Sequence, residues 1–383
     1  MDAIPLVDLG AAHREVADEV AAGWAEVLAA TAFVGGPQVE LFEQQCAAAH
    51  HRGHCVGVAN GTDAIELALR AFGVGPGSEC ILPANTFIAT AEAVSRCGAT
   101  PVLVDCDPAT HLMDIQAAAA AIGNRTRAVL PVHLYGQLVP VERIRPLADA
   151  VGAVVVEDGA QAHLARRHGA AMGRHGHAVA TSFYPGKNLG AYGDAGAVLT
   201  DDAAVAAAVR VLAQHGSARR YEHAVIGLNS RLDTLQAVVL SAKLRSLEVG
   251  NAARRAAAAR YDALLADVDG VCGPATLAGN EHVWHLYVVR VAERDRVLAH
   301  MQSRGIGAAI HYPTPVHLTG AYAGLGLGRG AFPVAERLAG QILTLPLYPQ
   351  ITEAQQVRVV QALREAVVTG GPRASRAIEL AAR

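Results

Sequence analysis

Seven short apolar runs, separated by stretches with helical periodicity, constrain the fold of this chain more than any other feature. The runs occupy residues 55–58, 80–82, 101–104, 128–132, 153–156, 179–181 and 196–199. Their hydrophobicity is continuous rather than alternating, which indicates strands buried on both faces. The pattern therefore predicts an α/β fold in which a mostly parallel, seven-stranded sheet lies between helices.

From Ser230 onward the pattern changes from short strands to helix. Apolar residues recur every three or four positions from Leu232 to Leu244, and the helical pattern continues to Leu265. We expect one long helix that connects two domains. A strand at 284–291, followed by another helix, predicts a smaller C-terminal α+β domain. The expected boundaries are residues 1–245 for the large domain with its N-terminal segment, 246–370 for the small domain, and 371–383 for a flexible tail.

Composition and charge exclude several classes of function. The 383 residues can bury a large core, and 32 Lys+Arg against 35 Asp+Glu give a net charge of -3. No Lys/Arg cluster is long enough to indicate a nucleic-acid partner. The N-terminal residues lack the basic and apolar regions of a secretion signal, and the sequence has no uncharged apolar run of transmembrane length. We expect a cytoplasmic protein without a membrane partner.

The six cysteines are dispersed without a Cys-x-x-Cys pair, which is typical of reduced thiols in a cytosolic enzyme. One local cluster raises the question of zinc, and it comprises Cys46, His50, His51, His54 and Cys55. Structural zinc sites usually combine paired ligands from two separate segments, so we expect no metal here. The alternative is the end of a helix followed by a strand that begins near Cys55.

Lys187 lies on a loop rich in glycine and proline that directly follows the predicted strand around residue 180. Open α/β sheets keep their ligand sites at the carboxyl edge, which is where this loop should lie. An amine at that edge can be desolvated and can form a Schiff base. The alternative is a lysine that simply extends from a surface loop into solvent.

Two other segments follow predicted strands in the same way. A helix that begins at Gly61 or Thr62 would direct free N–H groups toward a phosphate, although Thr62 or Asp63 could equally be an ordinary N-cap. Asp158 follows a buried strand, and a carboxylate there needs a cationic partner such as a protonated pyridine nitrogen. The alternative for this segment is an N-cap, which is the role we expect of Glu157.

Six motifs occur in a characteristic order. They are Asn-Gly-Thr-Asp-Ala at 60–64, Thr-Phe-Ile-Ala-Thr at 86–90, Glu-Asp-x-Ala-Gln-Ala at 157–162, Ser-Phe-Tyr-Pro-Gly-Lys-Asn-Leu-Gly at 182–190, Gly-Asp-Ala-Gly at 193–196 and Gly-Leu-Asn-Ser-Arg-Leu-Asp at 227–233. With these motifs the chain resembles the nucleotide-sugar aminotransferases, the DegT/DnrJ/StrS family of fold type I pyridoxal-phosphate (PLP) enzymes. The resemblance extends from about residue 4 to about residue 368.

The resemblance implies a role for each site residue. Lys187 would be the Schiff-base lysine and Asp158 the partner of the pyridine nitrogen, and these two would be the catalytic residues. The other cofactor-binding roles fall to Phe87, stacked on the ring, to Gln161, bonded to the cofactor hydroxyl, to Gly61, Thr62 and Ser182, bound to the phosphate, and to Asn229, which would reach in from the second subunit of a homodimer.

The resemblance also implies a two-stage transfer of an amino group from L-glutamate to a sugar ketone, with Lys187 as the proton shuttle. One branch of the family dehydrates its substrate and has a histidine in place of the lysine, so Lys187 argues against that branch. We expect the residues that select the sugar to lie outside the cofactor shell. The candidates are Tyr184, His215, Tyr221, His311 and Tyr312.

The segment His-Tyr-Pro-Thr-Pro at 311–315 resembles that of members that aminate C-3 of a dTDP-linked 3-keto-6-deoxyhexose. The alternative for this segment is a rigid proline turn whose aromatic residues pack the small domain. Other functions left open are amination at C-4 of a dTDP- or UDP-linked 4-keto sugar, amination of a cyclitol ketone, and a PLP-binding regulator without catalysis. No Gly-x-Gly-x-x-Gly motif after the first strand supports a dinucleotide site.

Overall fold

The computed structural model describes residues 3–219 and 221–368, so the predicted tail at 371–383 lies outside the described residues. The helices are α1 Leu9–Arg14, α2 Ala17–Ala30, α3 Pro37–Ala49, α4 Gly61–Ala71, α5 Ile88–Arg96, α6 Ile115–Ala121, α7 Val141–Asp149, α8 Ala203–Ala213, α9 Thr234–Leu244, α10 Leu247–Leu265, α11 Arg294–Ser303, α12 Pro333–Ala339 and α13 Glu353–Val368. The strands are β1 His54–Val58, β2 Glu79–Pro83, β3 Thr100–Val104, β4 Thr126–Val129, β5 Val154–Asp158, β6 Arg166–Arg167, β7 Ala170–Ala171, β8 Ala178–Ser182, β9 Gly196–Thr200, β10 Ser217–Arg219, β11 Glu222–His223, β12 Val271–Cys272, β13 Asn280–Glu281, β14 Tyr287–Val291 and β15 Ile342–Leu345.

The central sheet has seven strands in the order β1-β9-β8-β5-β4-β2-β3. Its strands are parallel except for β9, which is antiparallel to both neighbours, β1 and β8. Each of the seven predicted apolar runs overlaps one of these strands, and the mostly parallel α/β sheet is confirmed. The strands are buried on both faces because helices cover both, with α4 packed against β8 and β9.

A second sheet, in the order β12-β14-β15, belongs to the smaller C-terminal α+β unit. It packs with α10, α11 and α13 around a separate core that includes Tyr261, Tyr287 and Leu343. Ile4 is buried in the same core and bridges to Ile306, so the N-terminal segment extends to this unit. We retain the boundary between residues 245 and 246 as a proposal. Within the described residues, no helix is long and apolar enough to cross a membrane.

The long helix predicted from residue 230 to 265 is instead two helices, α9 and α10, separated by a turn at residues 245–246. The hydroxyl of Ser246 donates to the carbonyl of Lys243 and competes with the helical bonding pattern. The break also has a packing consequence. Leu240 on α9 faces the core of the large sheet, whereas Tyr261 on α10 faces the second core.

The sheet topology brings the chemically important segments together. β5 ends at Asp158 and its parallel neighbour β8 ends at Ser182, so both carboxyl ends lie at the same edge. The loop that carries Lys187 follows β8, and α4 begins three residues after β1 ends, beside Ser182. Parallel strands therefore place these side chains around one point, as expected for a sheet of this class.

Candidate active site

A cavity of about 440 Å³ lies at this edge of the sheet. Ten of the predicted site residues line it, and these are Gly61, Thr62, Phe87, Asp158, Gln161, Ser182, Tyr184, Lys187, His311 and Tyr312. Among the described lining residues, Lys187 is the only lysine or arginine, whereas Asp158 and Asp194 both contribute carboxylates. The cavity thus has a single amine opposed by acidic groups.

Lys187 is held on a tight turn by the bond from its backbone N–H to the carbonyl of Tyr184, at 2.8 Å. The surrounding protein desolvates its side-chain amine and lowers its pKa from 10.5 to about 8, although the negative charge of Asp158 acts in the opposite direction. A substantial fraction of the amine is therefore neutral near physiological pH. A neutral amine is the form that attacks a carbonyl or accepts a proton.

The N-terminus of α4 and the end of β8 form the part of the cavity for which phosphate binding is predicted. Asn60, rather than Thr62 or Asp63, is the N-cap of this helix, because its side chain accepts from the N–H of Asp63 at 2.8 Å. A Cβ atom at Gly61 would lie 2.6 Å from the Cβ of Ser182, so only glycine permits this close approach. The Ser182 hydroxyl accepts from the N–H of Tyr184 and keeps its own proton for a ligand.

Asp158 also lines the cavity and is almost fully buried. Its Oδ2 accepts from the hydroxyl of Thr90 at 2.8 Å, and its Oδ1 accepts from the N–H of Ala160 at 3.2 Å. These donors stabilise an ionised carboxylate away from bulk water. The carboxylate can therefore hold a protonated ring nitrogen.

Glu157 does not have the predicted N-cap role. Its carboxylate is buried on the other face of β5, where it accepts from His133 Nε2 at 2.7 Å and from the N–H groups of Gly173 and Gly176 at 2.9 and 2.8 Å. Successive residues of a strand point to opposite faces, which separates Glu157 from Asp158. Glu157 therefore ties the loop after β7 to the sheet.

The side wall of the cavity consists of aromatic rings and an amide. Phe87 is half-exposed to the cavity, and its ring lies 5.1 Å from that of Tyr312. Gln161 accepts from the N–H of Tyr135 at 2.6 Å and donates to the hydroxyl of Tyr312 at 3.1 Å. The Tyr135 hydroxyl donates to the carbonyl of His311 at 2.5 Å. Phe87 and Gln161 thus both contact Tyr312, and all three line the cavity.

Sequence reasoning missed His285, which lines the cavity with Lys187. The Asn188 amide nitrogen donates to Asn251 Oδ1 at 3.0 Å and to the carbonyl of Val283 at 2.9 Å, so its oxygen faces His285 Nδ1 at 3.2 Å. His285 therefore carries its proton on Nδ1. Burial, and then the charge of Lys187, keep the pKa of His285 well below its ordinary value. The sequence signal that could have identified this residue is the position of His285 within the mostly apolar run at 283–291.

Three predicted residues do not line the cavity of their own chain, namely Asn229, His215 and Tyr221. They lie in the excursion between α8 and α9, where β10 and β11 form a hairpin. Asn229 is exposed and forms a bridge with Gln214, and Tyr221 is 78% exposed. A contribution of Asn229 to a second subunit's site stays a prediction.

The Cys46 and His50 side chains meet at the end of α3, with Sγ 3.8 Å from Nδ1. β1 begins at His54, as the interpretation of a helix end followed by a strand expects. Over residues 3–219 and 221–368, no group of three or more His, Cys, Asp or Glu side chains is arranged to hold a metal ion.

The donors in the cavity fit PLP at three separated positions. Helix amides and hydroxyls around Gly61 suit a dianionic phosphate, Asp158 suits a pyridinium nitrogen, and Lys187 is the amine that can bond the aldehyde. Phe87 supplies a face against the ring. The fold and this site together define a PLP-dependent transferase of fold type I.

The chain belongs to the DegT/DnrJ/EryC1/StrS aminotransferase family, whose model matches residues 15–364. It is 46% identical over 361 residues to the erythromycin biosynthesis sensory transduction protein EryC1 of Saccharopolyspora erythraea, covering 94% of this chain and 99% of that protein. It is 45% identical over 362 residues to the dTDP-3-amino-3,4,6-trideoxy-alpha-D-glucose transaminase of Streptomyces venezuelae, covering 94% and 96% of the two chains. The crystal structure of S. venezuelae DesV in complex with a ketimine intermediate has a TM-score of 0.93 and 45% identity, covering 95% of this chain and 98% of that one.

Proposed function

We propose that this protein transfers an amino group from L-glutamate to C-3 of a dTDP-linked 3-keto-6-deoxyhexose. The observation that carries the proposal is the pairing, in one cavity, of a lysine with a lowered pKa and a hydrogen-bonded aspartate. The sugar class is supported by the relative named as a dTDP-amino-sugar transaminase and by the His-Tyr-Pro-Thr-Pro segment at 311–315.

In this proposal each residue that lines the cavity has a role set by its position. Lys187 would hold the cofactor through its amine, and its Nζ atom would move a proton to and from the substrate carbon. The Asp158 carboxylate would accept a hydrogen bond from the protonated ring nitrogen, and the Gln161 amide would bond the ring hydroxyl. Bound PLP supplies the electron sink that makes this proton movement possible.

The charges of the cavity support a homodimer with shared sites. L-Glutamate brings two carboxylates, and the cofactor and the nucleotide bring further anions, whereas Lys187 is the only lysine or arginine among the described lining residues. Arg219 and Arg231 are exposed on the same excursion that carries Asn229. We propose that this excursion of one subunit enters the cavity of its partner and brings Asn229, His215 and Tyr221 to the ligands.

The presence of Lys187, Asp158 and Gln161 in one cavity favours an enzyme over a PLP-binding regulator. A sensor needs the phosphate and ring contacts, but it has no need of a proton-transferring amine with a lowered pKa. Lys187 has this property, and it lies in the same cavity as Asp158 and Gln161.

The proposal is tested with [15N]-L-glutamate, PLP and two acceptors, a dTDP-3-keto- and a dTDP-4-keto-6-deoxyhexose. We expect 15N to appear on C-3 of the first sugar, as detected by NMR of the purified product. Labelling only at C-4 of the second sugar would replace the proposed acceptor with the alternative one. The absence of labelled product from both sugars, with the cofactor bound, would contradict the proposed activity.

A further inference from the structure

The hydroxyls of two buried threonines, Thr86 and Thr90, form a chain of hydrogen bonds that ends at Asp158. The hydroxyl oxygens of Thr86 and Thr90 are 2.8 Å apart, and Thr90 Oγ1 is 2.8 Å from Asp158 Oδ2. Thr90 has no exposed surface and Thr86 is 3% exposed, so water competes little for these bonds. The chain of three groups ends at the carboxylate that lines the cavity and is proposed to hold the ring nitrogen of the cofactor.

The direction of the hydrogen bonds follows from the single proton of each hydroxyl. An ionised carboxylate only accepts, so Thr90 must donate its proton to Asp158. The oxygen of Thr90 then accepts, and Thr86 must donate to it. The pair is therefore polarised toward the carboxylate, and each bond in such a chain strengthens the next.

The placement of Thr90 adds to this effect. Thr90 is the third residue of α5, whose N-terminal end carries a partial positive charge near Asp158. The same helix begins directly after Phe87, which faces the cavity. One helix terminus thus positions both the proposed ring-stacking residue and the donor to the carboxylate.

We propose that Thr86 and Thr90 form a positioning relay that holds the Asp158 carboxylate in a fixed orientation, so that it can accept a hydrogen bond from the protonated ring nitrogen of bound PLP. The inference rests on PLP as the cofactor, but it does not depend on which sugar is the acceptor. Thr90 is a positioning residue, because it acts through Asp158 rather than on the substrate.

The experiment uses the full-length enzyme loaded with PLP that carries 15N in its pyridine ring, without substrate. In Thr90→Val, which removes the hydroxyl at nearly constant volume, we expect the 15N resonance to move from the protonated toward the unprotonated position. We also expect kcat to fall by about 10- to 100-fold, as is typical for the loss of one hydrogen bond to a charged group. Thr90→Ser keeps the hydroxyl and should restore the wild-type resonance, and Thr86→Val should give a smaller displacement than Thr90→Val.

The matched control is Thr200→Val. Like Thr90, Thr200 is a fully buried threonine, but it ends β9 and its hydroxyl donates to the carbonyl of His177, the residue before β8. It should leave the ring-nitrogen resonance unchanged. A resonance in Thr90→Val that equals the wild-type value overturns the relay, and so does a displacement that Thr90→Ser shares. If the resonances behave as expected but no keto sugar is aminated, the relay stands and the proposed substrate fails.

Discussion

Gln161 lies between two tyrosines, and its amide nitrogen donates to the hydroxyl of Tyr312 at 3.1 Å while its oxygen accepts from the backbone of Tyr135. The bond to Tyr312 joins the loop after β5 to the 311–315 segment, which lies between α11 and α12. The amide is therefore at the junction of the proposed cofactor site and the proposed sugar site.

Substitutions at the two residues of this hydrogen bond, Gln161 and Tyr312, should have different effects. Tyr312→Phe leaves Gln161 held by Tyr135, so PLP affinity should change by less than about 3-fold while kcat/KM for the keto sugar falls by about 10-fold, the effect of one hydrogen bond. Gln161→Met leaves the buried N–H of Tyr135 without its acceptor, which costs about 1–3 kcal/mol of unfolding free energy. Denaturant unfolding and PLP titration of both variants measure the difference. Equal losses of PLP affinity in both would contradict this division.

Gly61→Ala should weaken cofactor binding. The added methyl group would lie 2.6 Å from Ser182 Cβ, and the helix terminus must shift away from the phosphate position. We expect the Kd for PLP to rise at least about 10-fold. Gly250→Ala in α10 is the matched control, because the atom nearest to the added methyl group would be Cγ of Pro349 at 3.5 Å. It should stabilise the protein by up to about 1 kcal/mol. Unchanged PLP affinity in Gly61→Ala would refute the proposed phosphate site.

The lowered pKa of Lys187 predicts a pH dependence of cofactor capture. The neutral amine fraction rises through pH 8, so the rate at which PLP bonds to the cofactor-free enzyme should rise with pH and reach half of its maximum near pH 8. Stopped-flow absorbance between pH 6.5 and 9.5 measures this rate. A rate that keeps rising tenfold per pH unit up to pH 9.5 would show an unshifted lysine.

The same shift predicts how the stability of the cofactor-free protein depends on pH. The folded state releases the Lys187 proton near pH 8, whereas the unfolded chain keeps it until about pH 10.5, so the unfolded state binds more protons between these values. Stability should therefore rise with pH across this window. Lys243 has a similarly lowered pKa, so the contribution of Lys187 is the difference in slope between the wild type and Lys187→Met. Identical slopes would contradict the shift.

The adjacent carboxylates of Glu157 and Asp158 on β5 should have different roles, the first in folding stability and the second in catalysis. Glu157→Gln replaces a buried carboxylate that accepts three hydrogen bonds with a neutral amide. It should lower the unfolding free energy by about 1.5–3 kcal/mol, while the absorption spectrum of the bound cofactor is retained. Asp158→Asn should instead keep most of the stability and lose at least about 100-fold in kcat. Thermal unfolding and single-turnover kinetics distinguish the two. The opposite pattern would exchange their roles.

Much of the fold was predictable because its strands are continuous in hydrophobicity. The position of Lys187 after β8 and that of Asp158 at the end of β5 follow from that pattern and from the parallel topology. The helix break at residues 245–246 was not predictable from apolar spacing, since the spacing continues through it. A local serine bond and the change from one core to the other determine the break.

The site was less predictable where polar residues depend on tertiary contacts. Glu157 resembles a cap in sequence, and only the folding of residues 173–176 against β5 gives it three donors. Thr90 and His285 lie within helix and strand patterns that give no local sign of their partners. His215, Tyr221 and Asn229 lie outside the cavity of their own chain, and their contribution to the site of a second subunit stays a proposal.

The most direct test of the central claim is the absorption spectrum of the purified protein with PLP, before and after L-glutamate is added, with Lys187→Ala in parallel. We predict that the wild type develops the visible band of lysine-bound PLP and that L-glutamate converts it to the near-ultraviolet band of pyridoxamine phosphate. Lys187→Ala should show neither the lysine-bound band nor turnover. A wild-type protein that forms no visible band, or a Lys187→Ala variant that still transaminates, would contradict the account.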